Sequence, residues 1–168
     1  ERLAADDRPC VLDADALNLI AAEGRHDVLR EHHLITPHPG EFARLAPDLA
    51  GLPRCEAAKR FVGRHPCTLL LKGARTLIAT PDGPPRLNPT GHAGMASGGQ
   101  GDVLAGVCGA LLAGGMTPVD AAMLAAWLCG RAAERALTHG GESEQSATAG
   151  DTLRHLGGAF SDWRECRR

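Results

Sequence analysis

One glycine-dense run constrains this chain more than any other feature. Residues 94–102 read GMASGGQGD, and an apolar stretch of helical length follows at residues 103–113. Glycine has no Cβ, so its backbone N–H groups can come close to a ligand. A helix that begins at the end of this run directs unpaired N–H groups and the positive end of its dipole to the same point. The run therefore predicts an anion-binding loop, most simply for phosphate.

Asp102 ends this run at the mouth of the predicted anion site. A carboxylate next to a bound phosphate is electrostatically unfavourable, which indicates that Asp102 has a chemical task. The task that fits is to take a proton from a hydroxyl group that attacks phosphorus. The alternative is a helix N-cap, a role for which aspartate is well suited, and the two roles are compatible.

Length and charge narrow the class of protein. At 168 residues the chain is expected to form one domain with its own core. The formal net charge of −2 gives no electrostatic argument for nucleic acid or an anionic membrane as partner. No apolar run approaches the roughly 20 residues of a spanning helix. The chain begins with Glu1 and not with Met, so we expect that N-terminal sequence is missing.

The spacing of the six cysteines gives no sign of a metal site, and two of them are predicted to be buried thiols. They are widely spaced, and no two have the C-x-x-C spacing of a zinc ribbon or redox motif. Cys108 and Cys129 lie in apolar helical stretches, where a thiol behaves as a small hydrophobic group. A reducing cytoplasm is the simplest setting for such a chain, and we predict a cytoplasmic location.

The order of elements predicts an α/β layered fold with a mostly parallel sheet. Strands are predicted at residues 9–12, 34–36, 68–71 and 77–79, and a turn at residues 81–84 makes a hairpin with residues 86–88. Helices are predicted at residues 15–23, 41–45, 56–64, 103–113, 119–138 and 149–156. The helix at 103–113 is apolar nearly all round and is expected to be buried. So few strands leave an edge of the sheet uncovered, which again favours a missing N-terminal part.

The glycine run is not one of the two common phosphate loops. A Walker A loop needs Lys after its last glycine, and none stands there. A dinucleotide fingerprint needs a third glycine where the chain has Leu104, and it belongs at the first turn of a sheet. The run is therefore an anion site of a different, G-x-G-D type.

At this signature the chain resembles the ribokinase-like superfamily and, more narrowly, the carbohydrate-kinase-like NAD(P)H-hydrate dehydratases. Four stretches carry the resemblance: LDADALN at 12–18, ITPHPGEF at 35–42, LKGART at 71–76, and NPTG at 88–91 running on through GMA at 94–96 to Asp102. Their order and spacing match the family over essentially the whole chain. A single G-x-G-D would be a weak signal, whereas four motifs in register are a strong one.

The resemblance implies a ribokinase-like three-layer sandwich, with a mostly parallel sheet flanked by helices, as one domain over residues 1–168 that is incomplete at its N-terminus. It implies a hydro-lyase that restores NADH or NADPH from the S form of the hydrated cofactor. ADP or ATP, with Mg²⁺, would phosphorylate the ring hydroxyl, and phosphate would then leave. The implied partners are the small-molecule substrate and the nucleotide, with no nucleic acid and no membrane. A homo-oligomer is expected, and the full-length protein would have room for an N-terminal epimerase domain.

The same resemblance assigns site residues. Asp102 is the catalytic base and contacts the substrate together with His38. The nucleotide residues are Lys72, Gly73, Ala74, Arg75, Thr76 and Gly101. Asn88, Thr90 and Gly91 are expected to line the nucleotide site, and the backbone of Gly98, Gly99 and Gly101 to hold the phosphoryl charge. Ser97 and Gln100 stand where bacterial members typically carry Thr; Ser keeps the hydroxyl, and Gln100 fits a role of its backbone alone.

Other interpretations stay open at this point. A ribokinase-like kinase of a small alcohol, such as a vitamin precursor, would use the same loop and base, although residues 37–41 fit a dehydratase better. A module that binds nucleotide without turnover, or an oligomerisation piece, is the third possibility. His38 and Lys72 could be ordinary surface side chains. Asp13 and Asp15 could form a carboxylate pair, but a helix cap is the preferred role for Asp15.

Overall fold

Five strands form one sheet in which they lie in sequence order. The computed structural model describes residues 7–166. The strands are β1 (Cys10–Leu12), β2 (His33–Ile35), β3 (Thr68–Leu71), β4 (Leu77–Ala79) and β5 (Arg86–Leu87). β1, β2 and β3 pair in parallel, whereas β4 and β5 pair antiparallel, the latter as the predicted hairpin. The sheet is therefore mixed, and its parallel half carries the strand ends on which the site is built.

Six helices lie in the described part of the chain. They are α1 (Asp15–Ala22), α2 (Pro39–Leu45), α3 (Arg54–Arg64), α4 (Gln100–Ala113), α5 (Pro118–His139) and α6 (Ala149–Glu165). Every predicted helix is present, and α6 runs well past its predicted end at residue 156. Proline occupies the first turn of α2 and α5, where its missing N–H costs nothing. Within residues 7–166, no helix combines the length and the apolar character needed to cross a membrane.

Alternating side chains of the strands build two separate cores. Ile35 and Leu69 face a cluster that contains side chains of α1, α2 and α3. Leu34 and Leu70, their chain neighbours, face a cluster that contains side chains of α4 and α5. All four are fully buried, and each contributes about 1.5–3 kcal/mol by leaving water. The result is a three-layer sandwich, which confirms the predicted fold class.

Helix α4 is more exposed than the sequence predicts. The pattern predicts burial nearly all round, but burial is confined to Leu104, Cys108 and Leu112, and Gly106 and Ala110 are exposed or half-exposed. Glycine and alanine look apolar in sequence, yet they cover little area and need no partner surface. The helix packs on β1, α5 and α6 and leaves its remaining face open to solvent. The prediction that this helix is buried all round is therefore wrong.

Helix α1 begins without the predicted cap. Its N-cap residue is Ala14, which has a φ of +50°, and no side chain caps the helix. Asp15 is instead the first helical residue, where its charge favours the helix dipole. The expectation that Asp15 caps α1 is wrong because the chain enters the helix one residue earlier, through Ala14.

Candidate active site

The site lies where three parallel strands end. Asp13 follows β1, His38 stands three residues past β2, and Lys72 follows β3 directly. The carboxyl ends of parallel strands meet at one edge of a sheet, which is the usual ligand edge in α/β folds. The backbone confirms the juxtaposition, because the N–H of Lys72 donates to the carbonyl of Pro37 at 2.9 Å.

The N-terminus of α4 has the form of an open anion site. Gly99 precedes the helix with a φ of +86°, a conformation that favours glycine, and no side chain caps this end. No group within residues 7–166 accepts a well-formed hydrogen bond from the backbone N–H groups of residues 97–102. A helix start needs partners for these donors, and a bound anion supplies them.

Lys72 adds a full positive charge beside this helix start. Its Nζ lies 2.8 Å from Asp13 Oδ1 and 3.8 Å from Glu41 Oε2. A Cβ added to Gly101 would stand 3.5 Å from the same Nζ, so Lys72 lies beside the first turn of α4. The side chains of Lys72 and Asp13 are 19% and 16% exposed. The two carboxylates thus hold an ammonium group next to the open N–H groups.

The loop after β3 is shaped by a residue for which the sequence gives no signal. The guanidinium of Arg54, at the start of α3, donates to the carbonyl oxygens of Leu71, Lys72 and Ala74 at 2.9–3.3 Å. Two residues of the loop, Gly73 and Arg75, have positive φ values. No residue among 7–166 accepts a hydrogen bond from the N–H groups of residues 73–75. Arg54 therefore binds the carbonyl groups of the loop, and the N–H groups of residues 73–75 stay open for a ligand.

His38 is fixed by a reciprocal cap at the start of α2. Its Nδ1 accepts hydrogen bonds from the N–H groups of Gly40 and Glu41, and Glu41 Oε2 accepts from the N–H of His38 at 2.7 Å. An accepting Nδ1 assigns the proton of the neutral ring to Nε2. The His38 side chain is half exposed, whereas that of Glu41 is buried. Glu41 thus links His38 to Lys72. It lies in the motif at residues 35–42 but was not among the predicted site residues.

Asn88 and Thr90 lie beside the predicted nucleotide loop, but their polar groups are occupied. The N–H of Asn88 donates to the carbonyl of Thr76 at 2.8 Å, which joins the two segments. The Asn88 amide donates to the carbonyls of Thr90 and Ala126, and the Thr90 hydroxyl donates to that of Trp127 at 3.0 Å. Their contribution to nucleotide binding stays a prediction. Because their side-chain donors are occupied, they would contribute through their backbone and through the shape of the site.

Asp102 lies in the first turn of α4 and is exposed. It forms no ion pair or hydrogen bond through its carboxylate with any residue in the described part, 7–166. Gln100, two residues earlier, accepts a hydrogen bond from Thr152 through its side chain, which agrees with a backbone role at that position. A free carboxylate next to an anion site is in a position to accept a proton.

Neither the buried thiols nor a protein-built metal centre compete with this chemistry in the described residues. Burial raises the pKa of Cys67, Cys108 and Cys129 to about 12, so these thiols are inert at neutral pH. This confirms the prediction that Cys108 and Cys129 are buried. Among residues 7–166, no three His, Cys, Asp or Glu side chains are grouped so that they could hold a metal ion.

Sequence comparison finds several similar proteins. The profile of a family described as NAD(P)H-hydrate dehydratase matches residues 1–155. The bifunctional NAD(P)H-hydrate repair enzyme Nnr of Moorella thermoacetica is 45% identical over 154 residues, which are 88% of this chain and 28% of that protein. The ADP-dependent (S)-NAD(P)H-hydrate dehydratase of Neisseria meningitidis is 42% identical over 134 residues, 76% of this chain and 45% of that protein. The chain thus spans less than half the length of these relatives.

Comparison with solved structures finds the same family as the sequence comparison. The ADP/ATP-dependent NAD(P)H-hydrate dehydratase of Bacillus subtilis, crystallised with ATP and Mg²⁺, superposes with a TM-score of 0.77 at 30% identity. The match covers 95% of this chain and 56% of that one. A ribokinase-like superfamily protein of Enterococcus faecalis, at 23% identity and a TM-score of 0.73, shares the fold. The chain therefore belongs to the NAD(P)H-hydrate dehydratase family.

Proposed function

We propose that this chain carries the nucleotide site and the catalytic base of an enzyme that uses ADP or ATP to dehydrate the S form of hydrated NADH or NADPH. The observation that carries the proposal is the open N-terminus of α4, with Lys72 at its side and the unpaired carboxylate of Asp102 in its first turn. The names of the Neisseria and Bacillus relatives support the same reaction and the same nucleotides.

The chemistry needs a better leaving group than hydroxide. Asp102 takes the proton of the ring hydroxyl, and that oxygen attacks the terminal phosphorus of the nucleotide. The bond from phosphorus to the bridging oxygen breaks, which releases ADP from ATP or AMP from ADP. The phosphorylated ring then loses phosphate from one carbon and a proton from its neighbour, so the double bond of the dihydronicotinamide returns.

Each remaining part of the site has a matching task. The N–H groups of Gly98, Gly99 and Gly101 stabilise the charge of the phosphoryl group in transit, and Lys72 reinforces them. The loop at residues 72–76 receives the nucleotide through its free N–H groups. His38 presents Nε2–H to the hydrated ring, with its orientation set by the cap at α2.

The residues of the site fit a Mg²⁺ ion that binds together with the nucleotide. Mg²⁺ in such sites is held by phosphate oxygens and water with one or two carboxylates, and a protein cage is not needed. Asp13 fits as one such carboxylate, since its Oδ2 accepts no hydrogen bond from residues 7–166 and lies near Gly101. When bound, the ion neutralises phosphate charge during transfer.

The chain covers only part of the length of its relatives, which suggests how the complete protein is organised. Residues 1–168 match 56% of the Bacillus structure, so we propose that they are one part of a larger ribokinase-like domain. Bifunctional relatives support an additional epimerase domain in the complete protein. A homo-oligomer and a cytoplasmic location complete the proposal.

The test follows recovery of dihydronicotinamide absorbance when purified NADH hydrate is incubated with the protein translated from the complete gene. Mg²⁺ is present, and ADP, ATP or no nucleotide is added. We expect a nucleotide-dependent rise with the S form. A phosphorylated hydrate that accumulates without NADH would assign a kinase instead, and no nucleotide-dependent change would reject the proposal.

A further inference from the structure

One carboxylate of α5 holds the turn that leads into the anion-binding loop. Glu134 Oε1 accepts a hydrogen bond from the N–H of Gly91 at 2.8 Å. Gly91 has a φ of +105°, so this turn has a backbone conformation that other residues rarely adopt. From Gly91 the chain passes through a single 3₁₀ turn, Ala93–Met95, directly to the loop at residues 97–102.

The same face of α5 is shaped to receive this turn. A Cβ on Gly130 would stand 2.7 Å from the carbonyl carbon of Thr90, so only glycine permits the close approach seen here. The Thr90 hydroxyl donates to the carbonyl of Trp127 one turn earlier. Glu134 lies one turn after Gly130 and completes a row of contacts along one side of the helix.

Glu134 is itself held by Arg131 of the same helix, which is anchored in turn to Asp162 of α6. Arg131 donates to Glu134 Oε2 at 3.1 Å and to Asp162 at 2.6 Å. Because Arg131 occupies the second carboxylate oxygen, the first is directed to Gly91. Arg135 also binds Asp162, at 2.8 Å, but it makes no ion pair with Glu134. Arg131 and Arg135 thus both bind Asp162, but only Arg131 also binds Glu134, which holds the Gly91 turn.

We propose that Glu134 is a positioning residue for the nucleotide, which sets the Gly91 turn and through it the anion-binding loop, and that Arg131 orients Glu134 for this task. The inference deepens the proposed function and rests on it for the identity of the nucleotide. Glu134 acts on the backbone of the loop and contacts no reacting atom. Its removal leaves a polar N–H of a strained turn without a partner, which favours other conformations of the loop.

The experiment measures the dissociation constant of ATP by calorimetry, and KM for ATP and for the hydrate, in the complete gene product. Glu134→Ala should weaken ATP binding about tenfold, whereas Glu134→Gln, which keeps an acceptor for Gly91, should stay within about twofold. Arg131→Gln should fall between the two. KM for the hydrate at saturating ATP should not change in any of them.

Arg135→Gln is the matched control, because it removes an ion pair with Asp162 but does not touch Glu134. An equal loss of ATP affinity in Arg135→Gln and Arg131→Gln would overturn the proposal, as would Glu134→Gln binding as weakly as Glu134→Ala. Should Glu134→Ala not fold, the comparison of Arg131→Gln with Arg135→Gln decides alone. Wild-type protein that binds ATP without dehydrating the hydrate would refute the proposed function, yet the ATP constants would still test Glu134.

Discussion

Lys72 and Asp13 form an ion pair of 2.8 Å although 59 residues separate them in sequence. An ammonium group beside the positive end of a helix is unfavourable on its own, because both carry positive charge. Asp13 and Glu41 offset that cost and hold Lys72 in place. The arrangement gives the helix start a concentrated positive potential, which a multiply charged phosphate would satisfy.

Lys72→Met should separate the binding role of this lysine from its structural role. The loss of a charged donor is expected to weaken ATP binding about 10- to 100-fold. The change also leaves two carboxylates unpaired, which should lower the free energy of unfolding by about 1–2 kcal/mol for a partly exposed pair. Calorimetric titration with ATP and urea unfolding measure the two effects independently.

The double variant Lys72→Met/Asp13→Asn provides the control. Removal of the unpaired carboxylate should recover part of the lost stability, but ATP binding should stay weak. A double variant that binds ATP as tightly as the wild type would show that Lys72 does not contact the nucleotide.

Asp102→Asn should abolish turnover while nucleotide binding persists. The amide keeps the size of the side chain but cannot take a proton, so the rate of NADH recovery should fall about 10²- to 10⁴-fold. The ATP dissociation constant should stay within about threefold, since the phosphate is held by backbone N–H groups and Lys72. Asp82→Asn, in the exposed turn between β4 and β5, is the control for loss of a charge. Full activity of Asp102→Asn would exclude this residue as the base.

Features that depend on local chemistry could be predicted from the sequence. The glycine run with Asp102 predicts the open helix start of α4, because glycine spacing and helix polarity act within a few residues. The sequence predicts the strand at residues 68–71 and the hairpin of β4 with β5, since turn residues and apolar runs define them locally. The antiparallel pairing of β3 with β4 was not predicted. Four motifs in register were sufficient to predict the family.

Features that depend on long-range packing could not be predicted. Arg54 shapes the loop after β3 from the start of α3, 17–20 residues away in sequence, and its sequence surroundings do not distinguish it from other surface arginines. Glu41 lies in the motif at residues 35–42, but its contact with Lys72 depends on the fold and could not be predicted. Likewise, α4 packs through one face, which depends on where its neighbours lie and not on its own composition.

Two neighbouring glycines of the anion-binding loop should respond differently to alanine. Gly99 has a φ of +86°, and a Cβ there would lie 3.1 Å from the Cβ of Ala149. Gly98 has no positive φ and no atom within 4 Å of its Cβ position. Gly99→Ala should therefore lower the free energy of unfolding by about 1–2 kcal/mol, and Gly98→Ala should change it by less than about 0.5 kcal/mol. Both should weaken ATP binding, because the loop must approach the phosphate closely.

Thermal unfolding and ATP titration of both variants check this contrast. Equal destabilisation by the two substitutions would contradict the assignment of the left-handed conformation to Gly99. Undiminished ATP affinity in both variants would place the phosphate elsewhere.

We expect His65 to make the stability of the fold depend on pH on the acid side of neutrality. The His65 ring lies just after α3, stacked on His26 at 5.0 Å and tilted against Phe61 at 4.9 Å. Burial lowers the pKa of His65 below its usual 6.5, and the neighbouring charges of His26 and Arg64 lower it further, while Asp48 opposes them. The folded state therefore disfavours the protonated ring relative to the unfolded chain.

The sign of the pH effect follows from linkage. Below pH 6.5 the unfolded state binds more protons at His65 than the folded state, so the stabilisation is complete above pH 6.5 and declines as the pH falls through the lowered pKa. We expect the urea midpoint of the wild type to fall between about pH 7.5 and pH 5, and His65→Gln to show a shallower decline because it has no proton to bind. His139→Gln, at the exposed end of α5, should retain the wild-type slope. Identical slopes for wild type and His65→Gln would assign the acid sensitivity to other groups.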